Sequence, residues 1–164
     1  MKKLLVLMSL VLFTGDFFGQ KLPDVYIEPV LRPYVDEYIA EAAERGIDVT
    51  PHINNMSMIV FSDLLEYPLL GIATKDGYTV AIASFCIMDK SILKAVVFHE
   101  LTHSIFNVGH SGTGLMSPVA PVNFRQYDCT DFWESTLDEI FEGKDNFSIF
   151  AIESKNIKYG KTKK

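Results

Sequence analysis

The chain has 164 residues, with 15 basic and 21 acidic side chains, 48% hydrophobic residues and 22% charged ones. That hydrophobic share supports a packed core and argues against wholesale disorder, while the length suits a single domain. A formal charge of −6 with a pI near 5.1 disfavours a nucleic-acid binder, because phosphate recognition needs a basic face.

Residues 1–19 read as a secretory signal peptide. Lys2 and Lys3 open it, Leu4 to Phe13 is a ten-residue core that is apolar except for Ser9, and Thr14-Gly15 begins a small, polar exit. The apolar run falls well short of the ~20 residues that span a bilayer, and no later run approaches that length. Leu12-Phe13-Thr14-Gly15 has the look of a bacterial lipoprotein box, but Asp16 stands where the lipidated cysteine belongs. The expected product is exported, periplasmic or extracellular. Its formal charge becomes −7, since two Lys and one Asp leave. Residues 20–157 are expected to form one domain, and 158–164 a basic tail. Export would permit a disulfide between Cys86 and Cys129, the only two cysteines; a bridge and two separate thiols both stay open.

Within the domain, Pro33 to Arg45 predicts a helix, with Val35, Tyr38, Ile39 and Ala42 at helical spacing and Gly46 as its stop. Met56 to Leu65 is apolar and partly β-branched, a predicted strand. Asp76-Gly77 marks a hairpin, followed by a second predicted strand over Tyr78 to Met88. Asp89 is positioned to cap a helix from Ser91 to about Phe106. Residues 107–130 are rich in Gly, Pro, Ser and Asn and predict irregular structure. A last helix is expected from Thr130 or Asp131 to Gly143, with Trp133, Leu137, Ile140 and Phe141 on one face. This order gives an α+β domain with helices segregated from a small sheet.

The chemistry concentrates at His99-Glu100-Leu101-Thr102-His103. Helix positions i and i+4 share a face, so the two imidazoles can hold one metal, and Glu100 can take a proton from a water beside it. Scrambling this composition would produce the pattern in only about 0.6% of sequences, which favours a metal site over coincidence. His110 lies close downstream, so three of the four histidines fall between 99 and 110. Catalytic zinc takes three protein ligands, and a left-handed Asn107 or Gly109 would swing His110 back to supply the third.

The run from His99 to His110, followed by Leu115-Met116-Ser117-Pro118, resembles a zincin metallopeptidase of metzincin type. Those proteins carry a His-Glu-x-x-His helix, a glycine turn, a third histidine and a methionine-containing turn below the metal. The match covers about 20 residues. Two features depart from the usual pattern: Phe106 occupies the customary glycine position, and six residues separate His103 from His110 instead of five. The chain therefore sits beside the named metzincin subfamilies, closer to a compact group of secreted bacterial zincin-like proteins.

The resemblance implies a compact zincin-like fold, with a small mixed sheet on the active-site helix and helices at both ends of the domain. It implies one zinc on His99, His103 and His110, with Glu100 as general base in peptide hydrolysis. Met116 would pack beneath the ligands, and Tyr127 would be an oxyanion donor, as tyrosines are in some related enzymes. Peptide or protein substrates would pair with an edge strand, for which Tyr78 to Met88 is the candidate. Asp128, Asp131 and Glu134 are the candidate carboxylates behind the ligands. His52 is expected at the surface. Competing readings are a catalytically inactive zinc-binding interaction protein, a zinc hydrolase of a non-peptide amide or ester, and a metal-free structural domain.

Overall fold

A computed structural model describes residues 24–111, 114–118, 127 and 129–144; the signal-peptide segment, the basic tail and Asp128 lie outside the described residues. Among the described residues the architecture is mixed, with four α-helices and a small four-stranded sheet, compatible with the α+β expectation. In chain order the elements are β1 (Tyr26–Ile27), α1 (Arg32–Glu44), α2 (Thr50–Asn54), β2 (Met58–Ser62), β3 (Gly71–Ala73), β4 (Thr79–Ala83), a 3-10 helix (Ser84–Met88), α3 (Lys90–Phe106) and α4 (Thr130–Phe141). Among the described residues, no helix is long and apolar enough to cross a membrane.

The sheet order is β1-β2-β4-β3, with β1, β2 and β4 parallel and β3 antiparallel to β4. The hairpin forms where Asp76-Gly77 predicts it: Gly77 takes a φ of 75°, and the Asp76 carboxylate accepts from Thr74 Oγ1 and Tyr78 N. Two strand expectations need correction. Met56 to Leu65 contracts to Met58–Ser62, and Tyr78 to Met88 is a strand only as far as Ala83. The remainder of the latter coils into the 3-10 helix, where Cys86 is buried and donates its thiol to Leu70 O at 3.7 Å. A further correction concerns position: β4 is interior, and the exposed edge beside it is β3. β1 and α2 were not anticipated; two- and five-residue elements are too short to show a period.

One face of the sheet carries Ile59, Val80 and Ile82 into the core; Met58 and Ile72, on the other face, are exposed. Helix α3 covers the buried face, and ten of its 17 residues are buried, including Val97, Phe98 and Leu101. It is apolar nearly all round because it lies between the sheet and the other helices. Tyr38 of α1 meets Phe98 at 5.0 Å between ring centroids, and Phe98 meets Trp133 of α4 at 4.9 Å. Tyr38 also hydrogen-bonds Thr102 Oγ1 at 3.1 Å, and Thr102 donates back to Phe98 O. These contacts fix the rotation of α3 about its axis, and hence the direction in which its histidines point.

Asp89 caps α3 as the sequence predicts, accepting from Ser91 N and Ile92 N at 2.9 and 3.2 Å. Both cysteines are free thiols, Cys86 buried and Cys129 exposed. Asp89→Ala should lower unfolding stability by ~1 kcal/mol through loss of the cap, read as a reduced urea midpoint with an unchanged slope.

Candidate metal centre

His99 and His103 stand one turn apart near the end of α3, and the way the chain leaves that helix shapes the rest of the site. The helix stops at Asn107, which adopts the left-handed conformation (φ 54°, ψ 38°) and donates its N–H to His103 O at 3.0 Å. Asn is among the few non-glycine residues that tolerate this geometry. The chain therefore reverses as the sequence predicts, and His110 returns over the helical pair. Its ring stacks on His99, 29° from parallel, and lies edge-on to His103 with 4.6 Å between centroids.

The three Nε2 atoms converge. His99 Nε2 is 2.9 Å from His103 Nε2 and 3.3 Å from His110 Nε2, and ligand atoms of all three residues lie within 4.8 Å of one another. The proton positions are set from the opposite side of each ring. His99 Nδ1 is 2.6 Å from Leu115 O and His103 Nδ1 is 2.7 Å from Val108 O. A carbonyl oxygen only accepts, so each Nδ1 carries the hydrogen, and a neutral imidazole then leaves its Nε2 bare. Two bare lone pairs facing each other at 2.9 Å repel unless a cation lies between them. A proton is a poor occupant near neutral pH: burial pushes His99 down to about 4 and lowers His103 as well, against the opposing pull of their carbonyl partners. Tetrahedral metal sites with ~2.05 Å metal–nitrogen bonds separate their ligand atoms by about 3.3 Å, so the donors present fit a metal ion. The group can hold one.

Glu100 is 6% exposed, with Oε1 4.0 Å from His99 Nε2. Burial raises its pKa to about 7, opposed by a hydrogen bond from the backbone of Ala73. Gly71 makes room for it, because a Cβ there would lie 2.7 Å from Glu100 Cγ and 2.9 Å from Val96 Cγ1. Ser104 Oγ donates to Gly77 O at 2.8 Å, fastening the β3–β4 hairpin to the last turn of α3. The resulting cleft, about 410 Å³, runs between β3 and the histidines.

The remaining candidates divide. Met116 is buried and its carbonyl accepts from Ser111 N at 2.8 Å; the turn that contains it reaches the histidines through the backbone of Leu115. Tyr127 lines the cleft with its ring against Phe132 and Trp133. Asp131 and Glu134 are not the groups behind the ligands: Asp131 is exposed, and Glu134 pairs with Arg45 at 2.9 Å, alongside Asp138. Backbone carbonyls of Val108 and Leu115 fill that role, and residue type gives no sign of them. His52 is half-buried beside Gly77 in α2, contrary to the surface expectation. Gly71 and Ala73 were likewise missed; a run of small residues next to a hairpin was the only signal.

Titrated with zinc or cobalt, the protein should bind one ion per chain. His103→Ala and His110→Ala should each weaken that binding at least about 100-fold, and Glu134→Gln should leave it unchanged. In metal-stripped protein, the raised Glu100 pKa means the folded state holds the proton more tightly. Its stabilising contribution is therefore lost as pH rises from about 4.5 through about 7. Glu100→Gln should gain on the native sequence over that interval by up to roughly 3 kcal/mol, measured by denaturant titration on both sides of it.

Compared with protein-family models, with curated proteins and with solved structures, the chain finds no match.

Proposed function

We propose that the protein is an exported zinc-dependent endopeptidase of zincin type. The observation that carries this reading is the convergence of three Nε2 donors beside a buried carboxylate in an open cleft next to a sheet edge. Three imidazoles with an open position suit catalytic zinc, whereas a purely structural site closes all four. The basic and apolar first residues support export, and the His-Glu-x-x-His helix with its methionine-containing turn supports the family resemblance.

Zinc, when bound, supplies Lewis acidity that polarises a carbonyl and brings the pKa of water toward ~7. His99, His103 and His110 would hold it through Nε2, with the first two rings locked by their carbonyl partners. Glu100 is the proton carrier. Buried beside the histidines, its carboxylate is placed to accept a proton from the attacking water and return it to the leaving amine. Its position under β3 is held by Ala73 and permitted by Gly71. Tyr127, on the cleft wall, is the candidate donor to the developing oxyanion.

The substrate backbone has a template in β3. Leu70 and Thr74 spend their ladder bonds on β4, with Ala83 N donating to Leu70 O and Thr74 N to Thr79 O. By the alternation of an antiparallel ladder, Gly71 turns its N–H and C=O, and Ala73 its C=O, away from β4, while Ala73 N–H is committed to Glu100; both residues line the cleft. An extended peptide can pair there, close to Glu100.

Purified mature protein should contain about one zinc per chain and cleave members of a quenched-fluorescence peptide library. Glu100→Gln should keep its zinc and lose at least about 100-fold in kcat. Absence of zinc after refolding with added metal, or full turnover by the Glu100→Gln variant, would overturn the reading.

A further inference from the structure

Glu100 is not alone in lying against a glycine. A Cβ at Gly114 would fall 2.8 Å from Glu139 Oε1 and 2.9 Å from Glu139 Cδ, so the Glu139 carboxylate is seated on the Cα of Gly114. Gly114 also has a φ of 68°, in the left-handed region that side chains rarely adopt. Position 114 is therefore held to glycine by its own backbone and again by a carboxylate of α4. Glu139 is exposed and lies outside the lining of the cleft. Beside it, Arg45 pairs with Glu134 and Asp138, which fixes the rotation of α4 and so the direction of Glu139.

What the carboxylate holds is the segment that completes the histidine cluster. Gly114 O accepts from Ser117 N at 3.3 Å, closing a turn over Gly114 to Ser117, and Met116 O accepts from Ser111 N at 2.8 Å. Leu115, inside that turn, receives His99 Nδ1 on its carbonyl at 2.6 Å. Any rotation of the turn would carry Leu115 O off the imidazole, and hydrogen bonds weaken steeply with misalignment. Glycine has no side chain to resist such a rotation, so the resistance comes from outside the turn. Cα hydrogens are only weak donors to a carboxylate, and the chief effect is steric: with Glu139 in place, the turn is blocked from tipping toward α4. We infer that Glu139 is a positioning residue of the metal centre, holding Leu115 O on His99 through Gly114. A carboxylate thus does stand behind one ring, at one remove and from a different residue than Asp131 or Glu134. The inference rests on the histidines holding a metal, and adds to that reading the group that aims His99.

Zinc alone is the probe, competed against a chromophoric chelator. Glu139→Ala should bind zinc about tenfold more weakly than the native sequence, as when a group behind a metal ligand is removed. Glu142→Ala, which deletes a neighbouring exposed carboxylate, should bind as the native protein does. In metal-free protein, Glu139→Ala should leave the urea midpoint unchanged while hydrogen exchange at the Ser111 and Ser117 amides quickens at least about fivefold. Gly114→Ala should weaken zinc binding by a larger factor in the native background than in Glu139→Ala, where the colliding carboxylate is gone. Native zinc affinity in Glu139→Ala, an equal loss in Glu142→Ala, a loss matched by a lower urea midpoint, unchanged exchange, or independent effects of the two substitutions would each overturn the inference. No zinc binding by the native protein would overturn the metal reading instead, and amide exchange in the metal-free state would still judge Glu139.

Discussion

The site depends on two hydrogen bonds that point away from it. Leu115 O and Val108 O each take the Nδ1 proton of a histidine, which strips the far nitrogen of its hydrogen and aims a lone pair at the same point in space. Without those carbonyls the rings could flip or change tautomer, and the 2.9 Å approach of His99 to His103 would relax into an ordinary N–H···N hydrogen bond. With them, the pair is an acceptor-only arrangement that a small cation satisfies. The metal-binding character of the region is as much a property of its backbone as of its histidines.

Packing supplies the second half of the constraint. Helix α3 is buried on almost every side, and Tyr38, Phe98 and Trp133 lock it against α1 and α4. Its solvent opening is confined to the last turns, where β3 approaches closely enough that only glycine fits at position 71. Glu100 is thereby desolvated between a helix and a strand edge, and desolvation is what lifts its pKa. Arg45 uses Glu41, Glu134 and Asp138 to join α1 to α4, which draws acidic groups of α4 away from the histidines. The charge environment of the cleft reflects that division of labour.

Side-chain identity and spacing made the histidine cluster legible. His99 and His103 lie one helical turn apart, Asp89 announces the start of their helix, and Asn107 is a residue type able to reverse the chain behind it. The hairpin at Asp76-Gly77 was legible for the same reason, since few sequences tolerate its backbone. Carbonyl partners were not legible, because every residue has a carbonyl and only the fold decides which one faces an imidazole. The acidic residues at 131 and 134 illustrate the resulting error, in which a chemically apt side chain was preferred to an anonymous backbone. Strand order failed likewise: β4 is the more apolar of the two hairpin strands because it is interior, and that quality marked it in the sequence as the better strand, whereas an edge has to be found from its neighbours.

Val108, His110 and Leu115 all belong to the short stretch just beyond α3. One ring and both backbone acceptors of the site thus come from a single irregular segment, while the other two rings come from the helix. An ion bound there is a cross-link between the two, and part of its binding free energy is free energy of ordering that segment. Metal supply would then govern how long the chain survives as well as whether it works. A molecule starved of the ion would present an untethered stretch beside its own cleft, open to attack by any protease it meets, and the population would lose its unloaded members first.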